Sequence, residues 1–331
     1  MDPFAPKPFD EYKKRGLKFV KVLNDVGFEV TFCNLGASIF SIKYLNKKMT
    51  YGPLFVKDFL KKNVYHGKTI GRVAGRIKEG KILVNGKTIQ VAINEGPNTL
   101  HGGKGGISER IFTCEVYRKP DRTEIIYSYY SQDLEAGFPG SASIETRYIV
   151  PKDKAELRVE FTCRVSEKCP ISLTNHSYFC LGDSNINNLK LQIASSNRLE
   201  MDPRNLLLGG PIPVPSYLDF RKSKLLVEDI ANKEMHQGML SGYDHFLVLD
   251  EGSKEPQITL ENDNFKLDIS TDLDGVVIYS DNYEAKFWAN NSRQKIHRGL
   301  AIEPQLNASK SMILDKNEKY SHFIIYRFDK N

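Results

Sequence analysis

The sequence predicts an all-β protein, a large antiparallel β-sandwich, and three observations carry that expectation. Short apolar-polar alternations recur from one end of the chain to the other. Clusters of Gly, Pro, Asn and Asp separate them at roughly regular spacing. Periodicity of the helical kind is almost absent. Strand density does not change along the chain and no Pro/Ser/Gly-rich linker interrupts it, so residues 1–331 read as a single domain without an internal repeat.

Taken in order, the charged residues 10–15 form a short helical lead-in. Strands then follow at Lys18–Leu23, Phe28–Cys33 and Ser38–Tyr44, each bounded by Gly or Asn. Pro53–Lys62 carries a helix-like pattern through Leu54, Phe55, Phe59 and Leu60. Asn85-Gly86 between two apolar runs is the strongest short signal for a hairpin, because both residues tolerate the positive φ of its turn. Further strands are expected at Glu124–Tyr130, Ser143–Val150, Leu157–Val165, Leu189–Ala194, Phe246–Leu249, Gln257–Glu261, Lys266–Ser270, Val276–Tyr279, Lys286–Ala289 and His322–Phe328.

Composition narrows the function classes. Apolar residues make up 40% of the chain, enough for a packed core. The formal charge of +6 is dispersed in short runs such as Lys13-Lys14-Arg15, which suits a solvated surface and not a nucleic-acid track. No apolar run approaches the ~18 residues of a membrane span, and the N-terminus lacks a signal-peptide core. Five cysteines without C-x-x-C spacing read as small buried thiols in a reducing compartment, so a cytoplasmic protein without structural zinc is expected.

One stretch resists the strand-and-turn description most strongly. Residues 171–182 begin as a half-buried strand, then place Thr174, Asn175, His176, Ser177 and Tyr178 in a row before Gly182. A buried strand must pair each such group or offer it to a ligand. His176, with a reference pKa near 6.5, is the group there best able to exchange protons near neutrality. Taken alone, a core histidine satisfied by backbone carbonyls is the simpler reading.

Four other stretches shift that balance. Gly71-Arg-Val-Ala-Gly-Arg-Ile puts two arginines four apart among glycines, in a loop that brings guanidinium groups toward a polar ligand or merely exposes them. His101 stands beside two glycines on a loop, where functional groups concentrate. Gly242-Tyr-Asp-His offers Asp244 just before a strand. Glu303 follows an apolar run and precedes Pro304, which cannot donate to a ladder, so a strand ending at Glu303 with the carboxylate at a rim is expected. These residues show no metal-ligand spacing, and no G-x-S-x-G nucleophile elbow occurs. A cleft free of metal and cofactor, suited to acid/base chemistry on a polyhydroxylated ligand, remains.

Together, Arg72-Val-Ala-Gly-Arg-Ile, Asn98-Thr-Leu-His-Gly-Gly, Leu173-Thr-Asn-His-Ser-Tyr-Phe, Gly242-Tyr-Asp-His and Ala301-Ile-Glu-Pro-Gln resemble aldose 1-epimerase, the galactose mutarotase family. Glu135-Ala-Gly-Phe-Pro-Gly and Pro215-Ser-Tyr-Leu-Asp-Phe-Arg extend the resemblance over nearly the whole chain, in order. It implies a galactose-mutarotase-like supersandwich that interconverts the α- and β-anomers of free aldohexoses such as glucose and galactose, with no cofactor. It further implies Glu303 as general base, His176 as general acid, and Arg76, His101 and Asp244 as sugar ligands. A base and an acid on opposite sides of the C1–O5 region suffice for ring opening. An ionised Glu303 and a His176 biased toward its protonated form would supply them, each charge widening the gap between their pKa values.

Two positions depart from the family pattern. Gly75 stands where Asn commonly precedes the sugar-binding arginine, which bears on specificity. Cys180 replaces another common Asn, where packing is a sufficient role. Two alternatives stay open. One is an epimerase of phosphorylated hexoses, which would need a basic pocket from residues such as Arg72, Lys104 and Arg110. The other is a carbohydrate-binding protein that has lost turnover. A monomer or weak homodimer is expected, with a small sugar as partner.

Overall fold

The computed structural model describes residues 16–53, 56–61, 63–230, 232, 242–283, 296–308 and 312–331. Two large antiparallel sheets dominate it. The nine-stranded sheet runs in the order Thr113–Arg118, Arg122–Ser131, Ala142–Pro151, Glu156–Val165, Tyr320–Lys330, Phe265–Thr271, Ile258–Glu261, Lys190–Ile193, Lys224–Leu225. The seven-stranded sheet runs Leu207–Pro213, Asn197–Met201, Asp244–Val248, Gly275–Tyr279, Leu300–Gln305, Tyr178–Phe179, Thr50–Tyr51. A four-stranded sheet from Phe19 to Lys48 packs beside them.

Alternation explains the nine-stranded sheet. Along Ala142–Pro151 the buried side chains are Ala142, Ile144, Thr146, Tyr148 and Val150; along Glu156–Val165 they are Leu157, Val159, Phe161, Cys163 and Val165. Burying a large apolar side chain contributes about 1.5–3 kcal/mol, and a one-residue slip would expose the whole set, so the register is strongly fixed. These residues join one apolar cluster with Leu247, Ile278 and Ile302 of the seven-stranded sheet. Phe179 against Tyr326, ring centroids 5.2 Å apart, links the two sheets directly. Phe28 against Phe328 and Phe32 against Tyr148 tie in the four-stranded sheet.

Phe28–Cys33 and Ser38–Tyr44 form as the sequence predicts, and Asn85-Gly86 turns the hairpin between Lys81–Val84 and Lys87–Gln90. The helical pattern at 53–62 yields one turn, Val56–Phe59. The lead-in at 10–15, residues 54–55 and 62, and the strand at Lys286–Ala289 lie outside the described residues. Thr113–Arg118 and Leu207–Pro213 are strands that the sequence did not signal. Both are mostly exposed edge strands: Thr113–Arg118 half-buries only Cys114 and Val116, a short alternation, while Leu207–Pro213 shows none, and an edge tolerates its Gly-Gly-Pro.

Two expectations near the site need correction. Residues 171–182 do not form one strand. Thr174–Asn175 pairs with Thr69–Ile70, whereas Tyr178–Phe179 enters the seven-stranded sheet, so the chain changes sheets at His176. Nor does the strand end at Glu303, which is buried rather than at a rim. It continues through Pro304, whose carbonyl accepts from Thr174 Oγ1 at 2.7 Å, on the side where no strand pairs with it. In an antiparallel ladder a residue's nitrogen and carbonyl point to the same side, so proline removes no ladder bond here.

Arg72 is neither on the surface nor at a ligand. It is 1% exposed, and its guanidinium donates to Ser131 Oγ and to the carbonyls of Gln132, Pro139 and Gly140 at 2.7–3.2 Å. It pins the Gly-rich loop to the turn before Ala142. Arg72→Met would leave the buried Gly140 carbonyl and Ser131 Oγ without this donor, at about 1–3 kcal/mol each, so a loss of roughly 2 kcal/mol or more is expected in urea unfolding. A change below about 0.5 kcal/mol, the size of an ordinary surface substitution, would contradict this role.

Candidate active site

Strand register builds the floor of a cavity of about 900 Å³. Tyr178 lies opposite Ala301, Ala301 opposite Tyr279, and Tyr279 opposite Asp244. One step along, Glu303 lies opposite Val277, and Val277 opposite Phe246. Side chains at alternate positions share a face. Asp244, Phe246, Val277, Tyr279, Glu303, Gln305 and Tyr178 therefore point into the cavity, while Leu300, Ile302 and Ile278 point into the core.

Loops close the other side. Thr99–Leu100 pairs with Arg76–Ile77, and His101 N–H donates to the Gly75 carbonyl at 3.0 Å, which fixes Arg76 and His101 side by side. The two glycines after His101 are a steric requirement: a Cβ on Gly102 would sit 1.9 Å from the Gly71 carbonyl oxygen. The Gly75 N–H donates to His101 Nδ1 at 3.3 Å, leaving His101 Nε2 to carry the proton of the neutral ring.

His176 stands where the chain changes sheets, its N–H donating to the Lys68 carbonyl and its carbonyl accepting from Gly67 N–H. Its polar neighbours are satisfied inside the protein. Thr174 donates to the Pro304 carbonyl, Asn175 to the Gly67 carbonyl, and Ser177 to Asn175. His176 and Tyr178 remain for the cavity. Their rings stack with centroids 5.0 Å apart, and Tyr65 stacks on the other face of His176 at 5.9 Å.

Glu303 Oε1 lies 3.4 Å from His176 Nε2, and both residues are nearly inaccessible, at 2% and 4%. The two groups stand side by side rather than across the cavity. Glu303 Oε2 and His176 Nδ1 are buried without a hydrogen-bond partner among the described residues. Burial, reinforced by the Asp244 charge and opposed by Arg76, pushes the Glu303 carboxyl well above the usual carboxylate range. Burial pushes His176 down to about 3. These directions correct the sequence expectation of an ionised glutamate and a protonated histidine. In the sugar-free protein the shared proton favours the carboxyl, because taking two charges out of water costs more than their attraction returns.

On the facing wall Arg76 makes a two-pronged contact with Glu95, at 2.8 and 3.0 Å, and reaches Asp244 Oδ2 at 3.3 Å. Asn205 Nδ2 donates to the same Asp244 oxygen at 2.6 Å. Burial opposes the Arg76 charge, but Asp244 and Glu95 outweigh it and hold the guanidinium above its ordinary range. Burial lowers His101 well below its usual value, with His176 and Arg76 adding to the effect.

All six residues expected at the site, Gly75, Arg76, His101, His176, Asp244 and Glu303, border this cavity. Of the three candidate phosphate-binding cations none does: Arg72 is a structural brace, Arg110 pairs with Glu135 at 2.9 Å, and Lys104 is exposed. Cys180 is turned away, its thiol near the Lys48 carbonyl. Sequence spacing argued against metal, yet the fold brings donor atoms of His101, His176 and Glu303 within 4.8 Å of one another, a set that a divalent cation could use. Glu95, Asn205, Tyr65 and Tyr178 went unpredicted. Tyr178 stood in the row of polar groups singled out at 174–178 and Glu95 beside the His101 loop, but neither was assigned to the site.

The family model for aldose 1-epimerase matches residues 18–327. The chain belongs to the aldose 1-epimerase family. It is accordingly an isomerase with aldose epimerase activity. Galactose mutarotase of Homo sapiens is 31% identical over 290 residues, covering 82% of this chain and 81% of that one. Aldose 1-epimerase of Escherichia coli is 26% identical over 278 residues, covering 80% and 79%. The crystal structure of the aldose epimerase homologue from C. elegans superposes with a TM-score of 0.84 at 26% identity, covering 95% of this chain and 99% of that one. The fold is thus the galactose-mutarotase-like sandwich that the resemblance implied.

The buried pair yields a direct spectroscopic expectation for this epimerase. In the sugar-free protein the His176 imidazole should keep the nitrogen chemical shifts of a neutral ring as pH falls from 7 to about 5, where an ordinary histidine of reference pKa about 6.5 is mostly protonated. A His176 titration centred at or above its ordinary value would contradict the dominance of burial.

Proposed function

We propose that the protein interconverts the α- and β-anomers of free aldohexoses, glucose and galactose among them, with Glu303 as general base and His176 as general acid. The observation that carries this reading is the side-by-side pair of buried proton carriers, each retaining an unpartnered polar atom, on the floor of the cavity. The anomeric hydroxyl O1 and the ring oxygen O5 are bonded to the same carbon, so neighbouring groups can address both. Glu303 takes the O1 proton as His176 gives a proton to O5, and the C1–O5 bond breaks to leave the open-chain aldehyde. Rotation about C1–C2 presents the other carbonyl face, and reclosure with the proton transfers reversed gives the other anomer.

The neutral pair and the ion pair contain the same number of protons, and moving one proton between the partners interconverts them. Hydrogen bonds from the sugar to the charged forms favour the ion pair on binding. In this reading His101 Nε2–H, Arg76 and the Asp244 carboxylate hold the sugar hydroxyls. Phosphorylated hexoses suit the cavity poorly. Among its described lining residues are five acidic side chains, Asp58, Glu95, Asp244, Asp281 and Glu303, against the cations Arg76 and Lys81.

Glu303→Gln keeps the shape of the base but not its proton affinity, so polarimetry on freshly dissolved α-anomer should show kcat reduced about 10²–10⁴-fold with sugar binding retained. Activity within threefold of wild type, about 0.7 kcal/mol of barrier, would remove Glu303 from the role. Gly75 tests specificity. Its φ is +81°, which Asn tolerates, and the nearest atom to an added Cβ is Gln305 Oε1 at 4.0 Å, so Gly75→Asn fits with its amide beside Arg76. One new neutral hydrogen bond is worth about 0.5–1.5 kcal/mol, and the ratio of kcat/KM for galactose and glucose should shift by up to about tenfold. An unchanged ratio would separate Gly75 from substrate choice.

A further inference from the structure

We propose that Asp281 is an additional sugar-binding residue, its carboxyl holding a hydroxyl of the bound sugar beside Tyr178 and Tyr279. This rests on the reading of the cavity as a sugar site. Asp281 follows the strand Gly275–Tyr279, borders the cavity and is 6% exposed. Its two neighbours are turned inward and consumed by the fold. Ser280 Oγ accepts from Tyr243 N–H at 2.8 Å, and Asn282 Nδ2 donates to the Tyr243 carbonyl at 2.9 Å. Asp281 Oδ2 is buried with no hydrogen-bond partner among the described residues.

The other acidic side chains of the cavity wall each have a basic side chain within 3.4 Å. Glu95 and Asp244 are tied to Arg76, and Asp58 lies 2.7 Å from Lys61 Nζ. Glu303 has His176. Among the described residues, the groups close enough to act on the Asp281 charge are Arg298, which favours it, and the hydroxyls of Tyr51, Tyr178 and Tyr279. Burial outweighs Arg298 and holds the carboxyl up to about 7.

Backbone geometry gives no reason for an aspartate. Its φ is +52°, a conformation that Gly and Asn adopt as readily, so the turn alone does not call for a carboxyl. A buried polar group without a partner is costly, and a cavity-facing one persists most simply when a ligand supplies the missing donor. Sugar hydroxyls are such donors, and the cavity already presents Tyr178 on the same side.

The same tolerance makes Asp281→Gly and Asp281→Asn clean probes. With free hexose, Asp281→Gly should raise KM about tenfold or more while kcat stays within about threefold, as expected for a lost hydrogen bond to a carboxylate that does not take part in proton transfer. Monodeoxy analogues of the hexose locate the contact. The wild type should discriminate against the analogue lacking the contacted hydroxyl, and Asp281→Gly should abolish that discrimination alone. A KM within twofold of wild type in both variants would overturn the proposal. So would a raised KM with the deoxy discrimination intact, which would mark Asp281 as structural. If the wild type fails to interconvert any free aldose, the epimerase reading of these substrates falls. Calorimetric titration with the same hexoses then decides separately: weaker binding to Asp281→Gly supports the contact, whereas equal binding or none overturns it.

Discussion

A carboxyl and an imidazole set 3.4 Å apart and nearly inaccessible to solvent cannot both carry charge cheaply, and much of the structure is arranged around that pair. Removing an ion from water costs several kcal/mol even after relaxation, while the attraction between neighbours recovers part of it. Protonation is therefore poised rather than fixed, since one proton can sit on either partner. Burial favours the neutral pair, so under the proposed mechanism hydrogen bonds from the bound sugar must offset the cost of the ion pair. Arg76 from the facing wall and Asp244 from the floor act on the same balance, with opposite signs on Glu303.

The fold supplies the burial and the alignment. Leu300–Gln305 is buried along its whole length, with one face in the core and the other on the cavity. Its pairing with Gly275–Tyr279 is fixed in register by Ile302 and Ile278, which would leave the core on any slip. Precise placement of Glu303 is thus a consequence of apolar packing behind it. His176 depends instead on a break in regular structure. Its backbone is held by Gly67 and Lys68 and its neighbours by side-chain bonds, so the ring stacks between Tyr65 and Tyr178 without support from a continuous strand.

Much of this was legible in the sequence where the determining forces are local. Period-two alternation located Phe28–Cys33 and Ser38–Tyr44, and Asn85-Gly86 located a hairpin, because burial of one face and turn sterics act within a few residues. Edge strands such as Leu207–Pro213 bury little and left no pattern. Arg72 and Arg76 stand four apart in similar surroundings, yet one braces the interior and the other lines the cavity; partners distant in the chain, Ser131 for one and Glu95 and Asp244 for the other, make the difference. Family motifs pointed to six residues, and the fold brings all six to the border of one cavity. Their protonation was misjudged, because mutual attraction can be reasoned from identity alone while the depth of burial, which reverses the outcome, exists only once the sheets have packed.

The pH dependence of kcat/KM for anomer interconversion, followed by polarimetry, tests the shared-proton pair most directly. The pair is competent only while it holds one proton in total, so the rate should form a bell, falling in acid as a second proton is added and in alkali as the single proton leaves. With burial dominant, the acid limb belongs mainly to His176 and the alkaline limb mainly to Glu303, the reverse of their order in water. A rate that rises continuously with pH, or one that is flat throughout the stable range, would contradict a mechanism in which Glu303 and His176 pass a single proton between them and the sugar.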